Sequence, residues 1–263
     1  MTSRALRLIW RQANVQLRVR TFNLFSLVLF FLQPAIFGSV GMILSRVAGR
    51  ERPDLIYTVL GAGMLGMWSG LVFTSSFDIQ RDRRDGTLEL IVASPTSLAV
   101  VEAIRTLTNV MAGLVSMAAA LVVAMSSYRY SLADANVAGA LVSLLMILAG
   151  MWSLGVFLAN FLVWSRLTTS LVELFEIPVA LVCGFMYPIS ILPGWMQALS
   201  AAIPIRWGLE TLDGALLGGQ STMFFLKGWG IGLVLSLIYL GLAHWLGGIV
   251  QDRIRVTGEM SSI

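Results

Sequence analysis

Six runs without a formally charged residue, at 21–45, 55–77, 106–128, 135–165, 177–205 and 228–251, constrain this chain more than any other feature. Each reaches the roughly 20 residues that a helix needs to cross the hydrocarbon of a bilayer. Backbone amides and carbonyls find no water there, so each run is expected to be helical. Composition agrees: 57% of the residues are hydrophobic, above the roughly 45–50% of soluble domains, and the mean hydropathy is +0.82. The reading is an all-α integral membrane protein with six spans near 22–45, 55–77, 100–127, 136–162, 168–187 and 228–250. In 263 residues this leaves no room for a soluble catalytic domain of roughly 100 residues.

Residues 1–20 precede the first run. On a helix Arg4, Arg7, Arg11 and Arg18 fall within about 60° of one another, and Leu6, Trp10, Ala13 and Leu17 form an apolar stripe roughly 120° away. Such an amphipathic helix suits the headgroup boundary, where anionic lipid meets arginine; an ordinary basic flank is the plainer alternative. The region is too long, and 21–45 too poor in small-residue cleavage patterns, for a cleaved signal peptide. An uncleaved first span is expected. The fifth run differs from the others, because Pro188 and Pro193, followed by Gly194, Trp195 and Pro204, end a straight helix near Tyr187. Residues 188–217 then read as re-entrant or interfacial helices on the outer side, and 252–263 as a cytoplasmic tail.

The 17 arginines and single Lys227 are scattered between the runs, which fits membrane topology better than nucleic acid. With six spans, Arg4, Arg7, Arg11, Arg18, Arg20, Arg81, Arg83, Arg84, Arg166, Arg253 and Arg255 share the face of the termini. Arg46, Arg50, Arg52, Arg129, Arg206 and Lys227 take the other. Eleven against six places both termini in the cytoplasm and the chain in the cytoplasmic membrane, although the three arginines at 46–52 dilute the bias.

Residues 78–97 form a charged island in a chain that is only 12% charged. By this topology they lie in the cytoplasm between spans two and three. Asp85-Gly86 reads as a turn and Thr87 as a helix start, so that over 86–95 Leu88, Ile91 and Val92 share a face. Ser94-Pro95 closes that helix, and Ser97 caps the next, whose first turns carry Glu102 and Arg105 at the interface. Two turns are too short to be stable alone and suit docking in a partner's groove; a charged loop resting on the membrane is the bland alternative.

The acidic, arginine-rich stretch running into Gly86-Thr87-Leu88-Glu89 and then Ser94-Pro95 resembles the coupling region of ATP-binding-cassette type-2 permeases. A second stretch, Gly184-Phe185-Met186-Tyr187-Pro188-Ile189 with Leu192-Pro193, Trp195, Pro204 and residues 212–219, resembles the region after that family's fifth span. The resemblance covers nearly the whole chain in length, span order and both motifs, and is nearly silent on substrate. It implies a half-transporter: two permease subunits, identical or close paralogues, form the path, and two cytoplasmic ATPase subunits carry the ATP and Mg. By motif position Asp85, Gly86, Thr87, Leu88 and Glu89 would contact the ATPase, with Arg81, Arg83 and Arg84 on its approach and Leu88, Ile91 and Val92 as the docking face. No cofactor is expected in this chain. A P-loop needs Gly-Lys before Ser or Thr to wrap phosphates, and Lys227 follows Leu226, so an ATPase must be a separate subunit.

Other residues carry competing readings. Glu173 and Glu176, three apart at the start of the fifth span, fit either a cation or proton site or a structural or gating pair with Arg166; the first-turn position favours the second. Phe25, Phe30 and Phe31 could line an apolar substrate path, though lipid-facing aromatics are commoner. His244, the only histidine, reads as a polar group packed between helices rather than a metal ligand. Glu210 and Asp213 beside Arg206 suggest an outer ion cluster, and Trp195, Trp207 and Trp229 interfacial anchors. Gly61, Gly63, Gly66 and Gly70 have the spacing of close helix packing, on a span that the resemblance puts near the subunit interface. No metal cluster, nucleophile–base pair or nucleic-acid motif stands out. The expected function is the permease of an ATP-driven exporter of an amphipathic or lipid-like molecule. A proton- or cation-coupled secondary transporter using Glu173 and Glu176, and a scaffold without transport, are the alternatives.

Overall fold

A computed structural model describes residues 32–47, 52–86, 98–128, 135–165, 169–185, 187 and 189–257. Among these residues there are eight α-helices and no strand: α1 Gln33–Val47, α2 Arg52–Arg84, α3 Leu98–Tyr128, α4 Val137–Ser165, α5 Thr169–Val182, α6 Gly194–Ala201, α7 Pro204–Leu217 and α8 Thr222–Thr257. A 3-10 turn, Ile189–Ile191, leads into α6. The expected amphipathic helix at 1–20, the coupling helix beyond Gly86 and the tail after Thr257 lie outside the described residues, as do Phe25, Phe30, Phe31 and Arg166.

Among the described residues three segments are long and apolar enough to cross a membrane, Val100–Ala120, Val137–Leu162 and Thr222–Ile249, and Val59–Ser75 forms a shorter apolar helix. Their outward faces are greasy: Leu233, Val234, Leu237, Ile238 and Trp245 of α8 are exposed. In water such a stripe would be a liability; in lipid it is the solvated face. The chain is a membrane-embedded helical protein.

The core gathers where α2, α3, α4 and α7 meet. Trp68, Met64 and Leu71 of α2 pack with Val110 and Met117 of α3, Ile147 and Met151 of α4, and Ile205 and Leu209 of α7. Glycines permit the close approach. A Cβ on Gly63 would meet Ala120 Cβ at 2.9 Å, and one on Gly208 would meet Ile147 N at 2.9 Å. Gly63 and Gly66 thus serve packing within the chain, against α3 and Pro34 of α1.

Helix ends have local causes. Asn136 caps α4, its Oδ1 accepting from Gly139 N at 2.9 Å. α5 stops at Val182, short of Tyr187, in a left-handed turn: Gly184 has φ 66, its amide donates to Leu181 O, and Phe185 N donates to Ala180 O. Pro178 lies inside α5, where it removes one backbone donor without breaking the helix. The 14 residues of α7 span about 21 Å, too little to cross about 30 Å of hydrocarbon, yet Ile205, Leu209, Leu212 and Ala215 are buried. α7 therefore enters the bundle without crossing it.

Candidate coupling site

α2 is 33 residues long. At 1.5 Å per residue it extends about 50 Å, longer than the roughly 30 Å of a bilayer's hydrocarbon, and its charged end is helical rather than a loop. The sequence reading ended the span at Phe77; the helix continues through Asp78 and Asp82 to Arg84. On this extension Arg81 pairs with Asp85 at 3.5 Å, both exposed, a contact worth little by itself. Asp85 N closes the last turn on Arg81 O at 2.8 Å, and Gly86 exits with φ 65 into open space. The predicted Asp85-Gly86 turn is therefore the C-cap of α2. Arg83 and Arg84 lie on the same helix end; Thr87, Leu88, Glu89, Ile91 and Val92 fall outside the described residues.

A second charged group sits deeper. Arg105, in the second turn of α3, donates Nη1 to Asp82 Oδ2 of α2, and the same nitrogen lies 3.3 Å from Glu102 Oε1. All three side chains are largely buried, Glu102 almost completely. Asp78, one turn before Asp82, acts electrostatically on the same group. Trp152 of α4 donates Nε1 to Ala103 O at 2.8 Å, so a third helix holds the α3 turn that carries Glu102 and Arg105. The sequence places Glu102 and Arg105 at the interface, and nothing in it pairs either with Asp82.

The carboxylate of Glu176 is held elsewhere, where α1, α2 and α5 meet. Ser69 donates Oγ to Glu176 Oε1, Gln33 Nε2 reaches Ser69 Oγ at 3.0 Å and Glu176 Oε1 at 3.5 Å, and Trp68 Nε1 donates to Glu176 O at 3.2 Å. These donors are neutral. Gln33 and Ser69 escaped sequence reading, where the only hint was a polar residue inside an apolar run. Below this node Asn109 Nδ2 donates to Ser75 Oγ at 3.1 Å, joining α2 to α3.

Near α6 and α7, Arg206 Nε lies 3.8 Å from Glu210 Oε2, Nη1 donates to Gln197 O at 3.2 Å, and the guanidinium lies 5.0 Å from the Trp207 ring centroid. Trp195 is exposed, whereas Trp229 donates Nε1 to Ser143 Oγ at 3.0 Å inside the bundle. His244 is exposed on α8, not packed between helices as its sequence context suggested. Among the described residues no group of histidine, cysteine or carboxylate side chains could hold a metal ion.

The family model of the ABC-2 type transporter matches residues 1–217, which reach from the amino terminus to the end of α7. The chain belongs to the ABC-2 type transporter family. This match includes α2, α3 and the charged segment between them. Comparison with curated proteins found no match. Family membership makes the chain a membrane-embedded ABC transporter permease and implies an ABC ATPase partner.

Proposed function

We propose that this ABC-2 type transporter is the permease subunit of an exporter that moves an amphipathic or lipid-like substrate outward across the cytoplasmic membrane. In this reading a separate cytoplasmic ATPase binds ATP and Mg, and a second permease subunit, identical or paralogous, completes the path. Both termini face the cytoplasm, and six spans cross the bilayer. The docking surface is the segment after Gly86, with Leu88, Ile91 and Val92 as its apolar face and Asp85, Thr87 and Glu89 beside it. Arg81, Arg83 and Arg84 lie on the approach. ATP-driven closure of the ATPase pair selects one of two arrangements of the membrane helices, so binding free energy at the motor becomes access to one side or the other.

The observation that carries this reading is the family match across residues 1–217, which contains the charged segment and both of its flanking helices. Lipid-like cargo is favoured by the apolar surface of the bundle, where Leu233, Val234, Leu237 and Ile238 of α8 are exposed. The test is reconstitution of the chain with its ATPase in vesicles, with a nitrobenzoxadiazole-labelled phospholipid as the probe. Leu88→Asp is expected to leave ATP hydrolysis by the ATPase measurable while outward movement of the probe stops. Undiminished movement in that variant contradicts docking through Leu88.

A further inference from the structure

The group formed by Asp82, Glu102 and Arg105 sits at a topologically special place. Asp82 lies in the last turn of the helix that leads into the segment 87–97, and Arg105 in the second turn of the helix that leaves it; the two are 23 positions apart. Their contact closes that stretch of chain into a loop whose base is an ion pair. The pair is largely buried, so water and salt screen it far less than they screen the exposed contact of Arg81 with Asp85. Glu102 meets the same Arg105 nitrogen and fixes the guanidinium from its own helix. Trp152 binds the Ala103 carbonyl and ties this turn to α4.

We infer that Arg105 is a positioning residue that clamps α2 to α3, so that displacement of the segment 87–97 moves both helices as one body. The inference rests on the proposed docking of an ATPase at that segment. Force applied to a loop reaches its two arms unequally unless the arms are joined. Here they are joined by Asp82, in the last turn of α2, and Arg105, in the second turn of α3. From Arg105 the motion passes through Ala103 to Trp152 and α4, and through Ser75 and Asn109 along the α2–α3 seam. Arg105 touches no substrate in this scheme; it determines how much of the motor's movement arrives.

Removing the charge alone would leave Asp82 and Glu102 buried beside each other, so the test includes a rescue. In the full complex with its ATPase, in vesicles carrying the labelled phospholipid, E102Q serves as the reference, R105M/E102Q as the broken clamp, and D82R/R105D/E102Q as the reversed pair. The broken clamp is expected to hydrolyse ATP within about twofold of the reference and to move at least fivefold less probe per ATP. The reversed pair is expected to recover at least half of that loss. Hydrogen exchange at 79–86 and 98–104, measured on the same complexes, is expected to rise in the broken clamp and fall again in the reversed pair. An unchanged ratio of probe moved to ATP hydrolysed in R105M/E102Q overturns the inference, as does failure of the reversed pair to recover either readout. If the unmutated complex moves no probe, the export reading has failed instead, and hydrogen exchange alone decides whether the clamp exists.

Discussion

Glu176 shows how a carboxylate is accommodated inside an apolar bundle. Its Oε1 accepts from Ser69 and Gln33, two neutral donors on two other helices, and its backbone carbonyl accepts from Trp68. Such a node joins α1, α2 and α5. Glu176→Gln keeps an acceptor oxygen and should leave the unfolding midpoint within about 2 °C of wild type, whereas Glu176→Ala strands the donors at a cost of ~1–3 kcal/mol, or about 5 °C. Scanning fluorimetry in detergent reads both. Transport by the Glu173→Gln, Glu176→Gln double variant should keep its pH dependence; a flattened profile would favour proton coupling. The node was illegible in sequence because its members are 36 to 143 positions apart, and no local pattern announces such a pairing.

Among the elements, those set by hydrophobic runs were readable and those set by caps only partly. The membrane-crossing lengths of α3, α4 and α8 follow from uncharged runs. The prolines within the fifth run predict a helix end near Tyr187, but the stop falls at Val182 because Gly184 adopts a left-handed conformation that no run length encodes. A Cβ there would also lie 2.7 Å from Ile189 Cγ1 and 2.8 Å from Tyr187 O. Gly184→Ala should therefore lower the unfolding midpoint by several degrees, from roughly 1–3 kcal/mol of strain, while Gly194→Ala, with open space around its Cβ, should not. Equal midpoints for the two variants would contradict the cap assignment. The helical extension of α2 past Phe77 is not legible in the sequence, since a cluster of charges normally marks a span's end, and here the helix continues through it to Arg84.

For the whole molecule, family and solvent were legible: a chain so apolar belongs in lipid, and its two motifs resembled the family whose model matches residues 1–217. What stayed hidden is the joining of α2 and α3 by Asp82 and Arg105, a tertiary contact between charges that in sequence look like ordinary interfacial residues. Six spans with both termini inside predict that green fluorescent protein fused after Ile263 fluoresces, while alkaline phosphatase fused there is inactive; the reverse would overturn the topology. The proposed function turns on docking of the segment after Gly86 on an ATPase. A photo-crosslinking amino acid placed at Leu88 in the intact complex tests it most directly. Illumination should join the chain to an ABC ATPase, identified by mass spectrometry. Adducts confined to lipid, with the ATPase present and bound, would contradict the account.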